Sequence, residues 1–207
     1  MTVSKVEPSR HVKGRFLVYC DDTTLLKVTE KEILAFSLYP GRELSEKELT
    51  ALKEAAGVSG ARARAAAIIG AKALSKKELY KRLLQKGESE EHAEDAVNWL
   101  EEIGALDDLI YAKSVVRHYA VMGYGPGKMR DELYRRGVPR ELWDEAIEEE
   151  SNDPAAAIDR YIAGKLRGKP ADEKTMKRIS DGLRRRGFRW DDIKEAFNRM
   201  DREFWEE

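Results

Sequence analysis

The residues best equipped for metal or nucleophilic chemistry in this 207-residue chain are three histidines (His11, His92, His118) and one cysteine, Cys20. Zinc sites draw on ligands paired a few residues apart, and these four are scattered. His92 falls on an early helical turn and His118 is flanked by Arg117 and Tyr119, so both read as ordinary helix residues. Cys20 has no partner for an internal disulfide and reads as a packing residue. Gly123-Tyr124-Gly125-Pro126-Gly127-Lys128 suggests a phosphate loop, but Met122 stands where the leading glycine is required and no Ser or Thr follows the lysine. Asp107-Asp108 and Glu148-Glu149-Glu150 could hold a cation, yet acids clustered at helix ends are usually solvated. No catalytic constellation emerges from these residues, and the expectation is no metal and no cofactor.

The elements around these residues repeat. Gly87, Gly137 and Gly187 stand fifty residues apart, and so do Ala96, Ala146 and Ala196. Leu79, Met129 and Ile179 keep the same period, as do Leu83, Leu133 and Leu183, Ala93, Trp143 and Ile193, and Val97, Ile147 and Phe197. Apolar residues within a unit recur at steps of three and four, one face of a helix. Ser75-Lys76-Lys77-Glu78 is a capping box. Each periodic glycine follows a basic residue (Lys86, Arg136, Arg186), as left-handed helix C-caps do. Gly125 corresponds to Ser75, which makes the glycine-rich run a turn opening the next helix. A further helix leads each unit, near Ala61–Ala73, Ile110–Val121 and Ala155–Arg167.

Residues 1–60 depart from the period. Arg15–Tyr19 and Thr24–Val28 flank Cys20-Asp21-Asp22-Thr23, a β-hairpin pattern with an Asp-rich turn. Two isolated strands are marginal in water, so the hairpin should pack on helices. Ser45–Glu48 is a second capping box opening a helix to about Ala56, and Gly57-Val58-Ser59-Gly60 reads as a linker. The expected fold is mainly α: an elongated array of three tandem three-helix repeats (61–107, 108–153 and 154–207) behind an N-terminal β-hairpin and helix, 1–60.

Net charge is −1, which by itself argues against nucleic acid. Placement reverses that. Residues 62–86 hold eight Lys/Arg against one acid, 113–140 seven against two, and 165–189 ten against three. Between them, 87–108 and 141–153 hold nine and seven acids with no Lys or Arg, and 190–207 holds seven acids against three bases. Stacked in register, the basic blocks would form a stripe for phosphates. Alternatively, each acidic third helix pairs with a basic neighbour, in ion pairs of small individual worth. The strongest phosphate candidates are Lys128, Arg130, Arg135 and Arg136, and Lys177 with Arg184, Arg185 and Arg186. Three adjacent arginines cannot share one helix face. Trp143, Tyr111 and Tyr161 occupy packing columns, whereas Tyr80, Tyr124 and Tyr134 lie near basic blocks and could stack on bases.

Charged residues are 37% of the chain, and no apolar run approaches the roughly 18 residues of a spanning helix. The N-terminal residues lack a signal-peptide pattern. The expectation is a soluble, cytoplasmic monomer.

At this point the chain resembles the RecX regulatory proteins, bacterial modulators of the RecA recombinase. The residues that carry this are Ala73-Leu74-Ser75 with Glu78-Leu79, Leu83 and Lys86-Gly87. They continue through Leu100, Gly104, Leu106-Asp107-Asp108 and Tyr111-Ala112, then Gly123-Tyr124-Gly125-Pro126, Met129, Leu133 and Arg136-Gly137-Val138. Asp21-Asp22, Pro40-Gly41 and Leu44-Ser45 look like the longer members. The chain departs at Asp108-Leu109-Ile110, where a polar pair is common, and at Gly182 inside a helix. The resemblance implies a non-enzymatic regulator, mainly inhibitory, with a curved repeat array that engages the groove of RecA–DNA filaments. It would limit RecA's ATPase, strand-exchange and coprotease activities in DNA repair and the SOS response. The competing reading is a helical-repeat protein that binds single- or double-stranded DNA directly.

Overall fold

The computed structural model describes residues 1–10, 12, 14–21, 24–151, 153–167 and 170–206, with backbone alone for 201–206. His11 and the turn residues Asp22 and Thr23 lie outside the described residues.

The N-terminal hairpin is part of a larger sheet. Strands β1 (Val3–Pro8), β2 (Arg15–Cys20) and β3 (Thr24–Thr29) form an antiparallel sheet in that order. Val18 and Cys20 face inward from the central strand, and Val28 does so from β3. The β1 strand escapes a simple alternation test because its register shifts between Val3 and Lys5. Val3 lies opposite Cys20 and Val6 opposite Val18, so residues three apart share a face, which a strict period of two forbids. A short helix, α1 (Glu30–Ala35), follows, capped by Thr29 and Glu32.

The Gly57–Gly60 linker does not exist as such. Helix α2 runs unbroken over Glu46–Ala71, opened by the Ser45/Glu48 capping box. The expected helix at Ala61–Ala73 is its second half. Helical glycines cost about 1 kcal/mol each relative to alanine, and packing offsets that here. The His92 ring occupies the space a Cβ on Gly57 would need. The Arg15 guanidinium donates to the Ser59 carbonyl at 2.6 Å. Leu52 is buried with the sheet and Ala61 and Ala65 with the next helices, so the helix is held at both ends.

The remaining elements are α3 (Lys76–Gln85), α4 (Glu90–Glu102), α5 (Asp108–Val121), α6 (Pro126–Arg135), a 3-10 turn (Arg140–Leu142) leading into α7 (Trp143–Glu150), α8 (Pro154–Leu166), α9 (Glu173–Arg185) and α10 (Trp190–Glu206). Among the described residues the buried side chains fall into four clusters, one for the sheet and one for each three-helix repeat. The periodic columns supply their centres: Leu83, Leu133 and Leu183 are each fully buried. Gly87, Gly137 and Gly187 have φ of 87°, 68° and 85°, the left-handed conformation that ends a helix. Gly182 in α9 also has a packing reason, because the Tyr161 hydroxyl occupies the place of its missing Cβ. The chain divides into two compact units, Met1–Ala73 with Leu79–Leu106, and Leu74–Glu78 with Asp107–Glu207. No helix among the described residues is long and apolar enough to cross a membrane.

Candidate nucleic-acid interface

The second unit contains two joints built alike. In the first, Ser75 at the start of α3 donates its hydroxyl proton to the carbonyl of Arg136, the cap residue of α6. Fifty residues on, the Gly125 amide at the start of α6 donates to the carbonyl of Arg186, the cap of α9, at 2.8 Å. The Gly127 amide adds a bond to the Gly187 carbonyl at 3.0 Å. This accounts for the glycine-rich run. A Cβ on Gly125 would stand 2.8 Å from the Gly187 carbonyl, and Pro126 supplies the first helical residue. The run is a helix-opening turn, with its amides directed at a main chain rather than a phosphate. Among the described residues no helix cap bonds to the start of α9, which begins a turn earlier than its counterparts and is capped by Asp172, accepting from the Thr175 amide at 2.8 Å.

The cap arginines are structural. The Arg136 Nη1 group donates to the Tyr111 hydroxyl at 2.9 Å, and that hydroxyl donates to Glu78 at 3.1 Å. Burial pushes the Tyr111 hydroxyl pKa up, so it stays a neutral donor at physiological pH. At Glu78 the amide donates to the Ser75 hydroxyl, as a capping box requires, and the carboxylate accepts from Tyr111. The Arg186 Nη1 group donates to the carbonyls of Met122 and Gly123 at 2.9 and 3.0 Å, and its guanidinium lies over the rings of Tyr124 and Tyr161.

Each first helix pairs with its acidic third helix. Arg62 makes a two-pronged bond to Asp95 at 2.7 and 2.8 Å. Lys113 lies 2.7 Å from Glu149 and Arg117 2.6 Å from Glu150, while in the last repeat the signs reverse, with Arg199 3.0 Å from Asp159. The bond to Arg117 holds the Glu150 carboxylate below its usual pKa, and the bond to Glu149 raises that of Lys113. The pairing of basic first helices with acidic third helices thus holds for the first two repeats.

The second helices differ. On α6, Lys128, Arg135 and Arg136 surround the buried carboxylate of Glu132, and Arg130 lies 2.9 Å from Asp144. These four candidates are partly neutralised within the fold. On α9, Lys177, Arg184 and Arg185 are exposed and have no ion-pair partner among the described residues, whereas Arg186 is turned into the joint. At 3.6 residues per turn, Lys174, Lys177, Arg178, Arg184 and Arg185 share an arc of about 120°, interrupted by the half-buried Asp181. Lys174 and Arg178 complete a basic face that the sequence reading only half identified. Helical projection of α9 would have found them.

Three other residue assignments resolve cleanly. Cys20 is fully buried, and that burial raises its thiol pKa. His92 pairs through Nε2 with Glu54 at 2.9 Å, and the His118 ring meets the edge of Tyr119. Of the three tyrosines suggested for stacking, Tyr80 is half-buried in a core and Tyr124 lies beneath Arg186, while Tyr134 is open to solvent.

Chemically, the exposed cations along α9 suit an anionic partner; the comparisons with known proteins concern the fold and family. A family model described as RecX, second three-helix domain, matches residues 107–147, which run from the start of α5 into α7. Regulatory protein RecX of Vibrio campbellii is 34% identical over 122 residues, covering 58% of this chain and 79% of the relative. Regulatory protein RecX of Clostridioides difficile is 25% identical over 202 residues, covering 96% of this chain and 95% of the relative. A crystal structure of regulatory protein RecX matches with a TM-score of 0.75 at 24% identity, over 95% of this chain and 98% of that one, a likeness of fold.

Proposed function

The chain belongs to the RecX family of regulatory proteins, and on that premise we propose that it regulates the RecA recombinase by binding RecA–DNA filaments, chiefly as an inhibitor. The observation that supports this reading is the unequal use of charge. In the first two repeats the first-helix bases Arg62, Lys113 and Arg117 are bound to third-helix acids, while the α9 face keeps Lys177, Arg184 and Arg185 exposed and, among the described residues, without an ion-pair partner. Unpaired cations on a rigid helix are free to meet backbone phosphate or an acidic protein surface, releasing counterions or forming new pairs. Repeats in tandem can engage several filament subunits together, so weak contacts multiply.

Direct DNA binding is the second reading, favoured by the same basic face. Titrating the protein into preformed filaments while following RecA's single-stranded-DNA-dependent ATPase separates the two. Inhibition at substoichiometric protein that persists when bare DNA is added is the expected result. No effect on the ATPase together with tight, steeply salt-dependent DNA binding would replace filament regulation with DNA competition.

A further inference from the structure

Positions fifty residues apart exchange residue types at the two joints. Position 134 holds Tyr and 184 Arg, while position 140 holds Arg and 190 Trp. Each joint therefore carries one aromatic ring and one arginine at equivalent places in the fold, in opposite order. Both rings are left in solvent, Tyr134 at 74% exposure and Trp190 at 54%. One exposed aromatic needs no explanation. Recurrence beside unpaired cations at equivalent places does.

Tyr134 borders a groove of about 580 Å³ with Lys76, Lys77, Pro139, Arg140 and Trp143. Lys77 and Arg140 are exposed and have no ion-pair partner among the described residues. Asp108, the acid lining this groove, is buried and accepts from the Lys76 amide at 2.8 Å. Arg135 beside Tyr134 is engaged by Glu132. At the places equivalent to Arg140 and Tyr134, Trp190 and Arg184 recur; Arg184 is exposed with no ion-pair partner among the described residues, and Arg189, the residue before Trp190, is 80% exposed with Asp191 only at 3.9 Å.

A ring beside free cations matches a chain that offers flat bases and phosphates in alternation. Duplex DNA keeps its base faces stacked inside. An acidic peptide could engage the cations but would leave the rings unused. We propose that Tyr134 and Trp190 are base-stacking platforms for single-stranded nucleic acid. Lys77 and Arg140 hold flanking phosphates at the first platform, and Arg184 and Arg189 do so at the second. This deepens the nucleic-acid side of the function proposed above and rests on it.

The test is binding of a fluorescein-labelled oligothymidylate to the full chain by anisotropy, over a series of salt concentrations. Tyr134→Ala and Trp190→Ala should each weaken binding about 5- to 150-fold, the worth of one stacked base, with the salt slope unchanged. Tyr134→Phe and Trp190→Phe should bind like the parent. Arg140→Ala and Arg184→Ala should instead flatten the salt slope by about 0.7 per lost phosphate contact. An abasic oligomer of equal length should bind the parent as weakly as oligothymidylate binds the Tyr134→Ala/Trp190→Ala double variant. Equal affinity of the parent for both oligomers, alanine variants within twofold of the parent, or no binding at low salt would each overturn the platforms. Filament regulation is judged separately by the RecA ATPase, so the two ideas can fail independently.

Discussion

The Ser75 hydroxyl donates to the main-chain carbonyl of Arg136, joining the start of one second helix to the end of the next. The Gly125 amide repeats that bond to Arg186 without a side chain. Serine fits the first joint because its hydroxyl spans the gap. Glycine fits the second because the backbones approach too closely for a Cβ, so each joint selects a different small residue for the same contact.

The closeness of the second joint predicts unequal costs for two otherwise equivalent glycines. Gly87 and Gly187 share positive φ, but a Cβ on Gly87 meets open space and one on Gly187 meets the Lys128 backbone. Gly87→Ala should cost about 1–2 kcal/mol from conformation alone. Gly187→Ala should cost more than that, and thermal melts of the two variants check the order.

Leu133 and its neighbour Tyr134 should behave oppositely. Leu133 is fully buried and Tyr134 largely exposed. Leu133→Ala should destabilise by about 2–5 kcal/mol through the cavity it leaves, whereas Tyr134→Ala should stay within about 0.5 kcal/mol of the parent. Denaturant midpoints distinguish them.

Charge reversal should separate binding from folding. Replacing Lys177, Arg184 and Arg185 with Glu should abolish most inhibition of RecA filaments while leaving the melting curve in place. Arg136→Glu should lower the melting temperature, because it removes the donor to Tyr111 and places an acid near Glu78 and Glu132. Equal melting temperatures for the two variants would contradict the structural role of Arg136.

Glu150 gives a pH prediction. Its folded-state pKa is depressed by the bond from Arg117, so its stabilisation is present above the unfolded value of about 4.3 and is lost as pH falls through the depressed folded value. Glu150→Gln should therefore lower the melting temperature at pH 7, with the difference closing in acid. High salt should shrink it as well, since Arg117 is 64% exposed.

Cys20 should resist modification in the native state. It is fully buried and its thiol pKa is raised, which suppresses the reactive thiolate. A chromogenic disulfide reagent at pH 8 should titrate no thiol until denaturant is added. Prompt native-state reaction would show that the sheet opens readily.

The fifty-residue period determined much of the fold, because helix faces and glycine caps are written in short-range spacing. Leu83, Leu133 and Leu183 declared themselves core in this way, as did the turn role of Gly125. The first strand was hidden by its register shift at Val3 and Lys5, which breaks the alternation that marks a strand. The Gly57–Gly60 segment misled because glycine signals a break locally, while its close packing against His92 is visible only in three dimensions. The basic blocks were equally legible, but not which of their members stay free. Charge composition says that Arg117, Arg136 and Arg184 are alike. Tertiary structure gives the first to Glu150 and the second to Tyr111, and leaves the third in water, because ion pairing depends on which helices are brought within a few ångströms and not on their order along the chain.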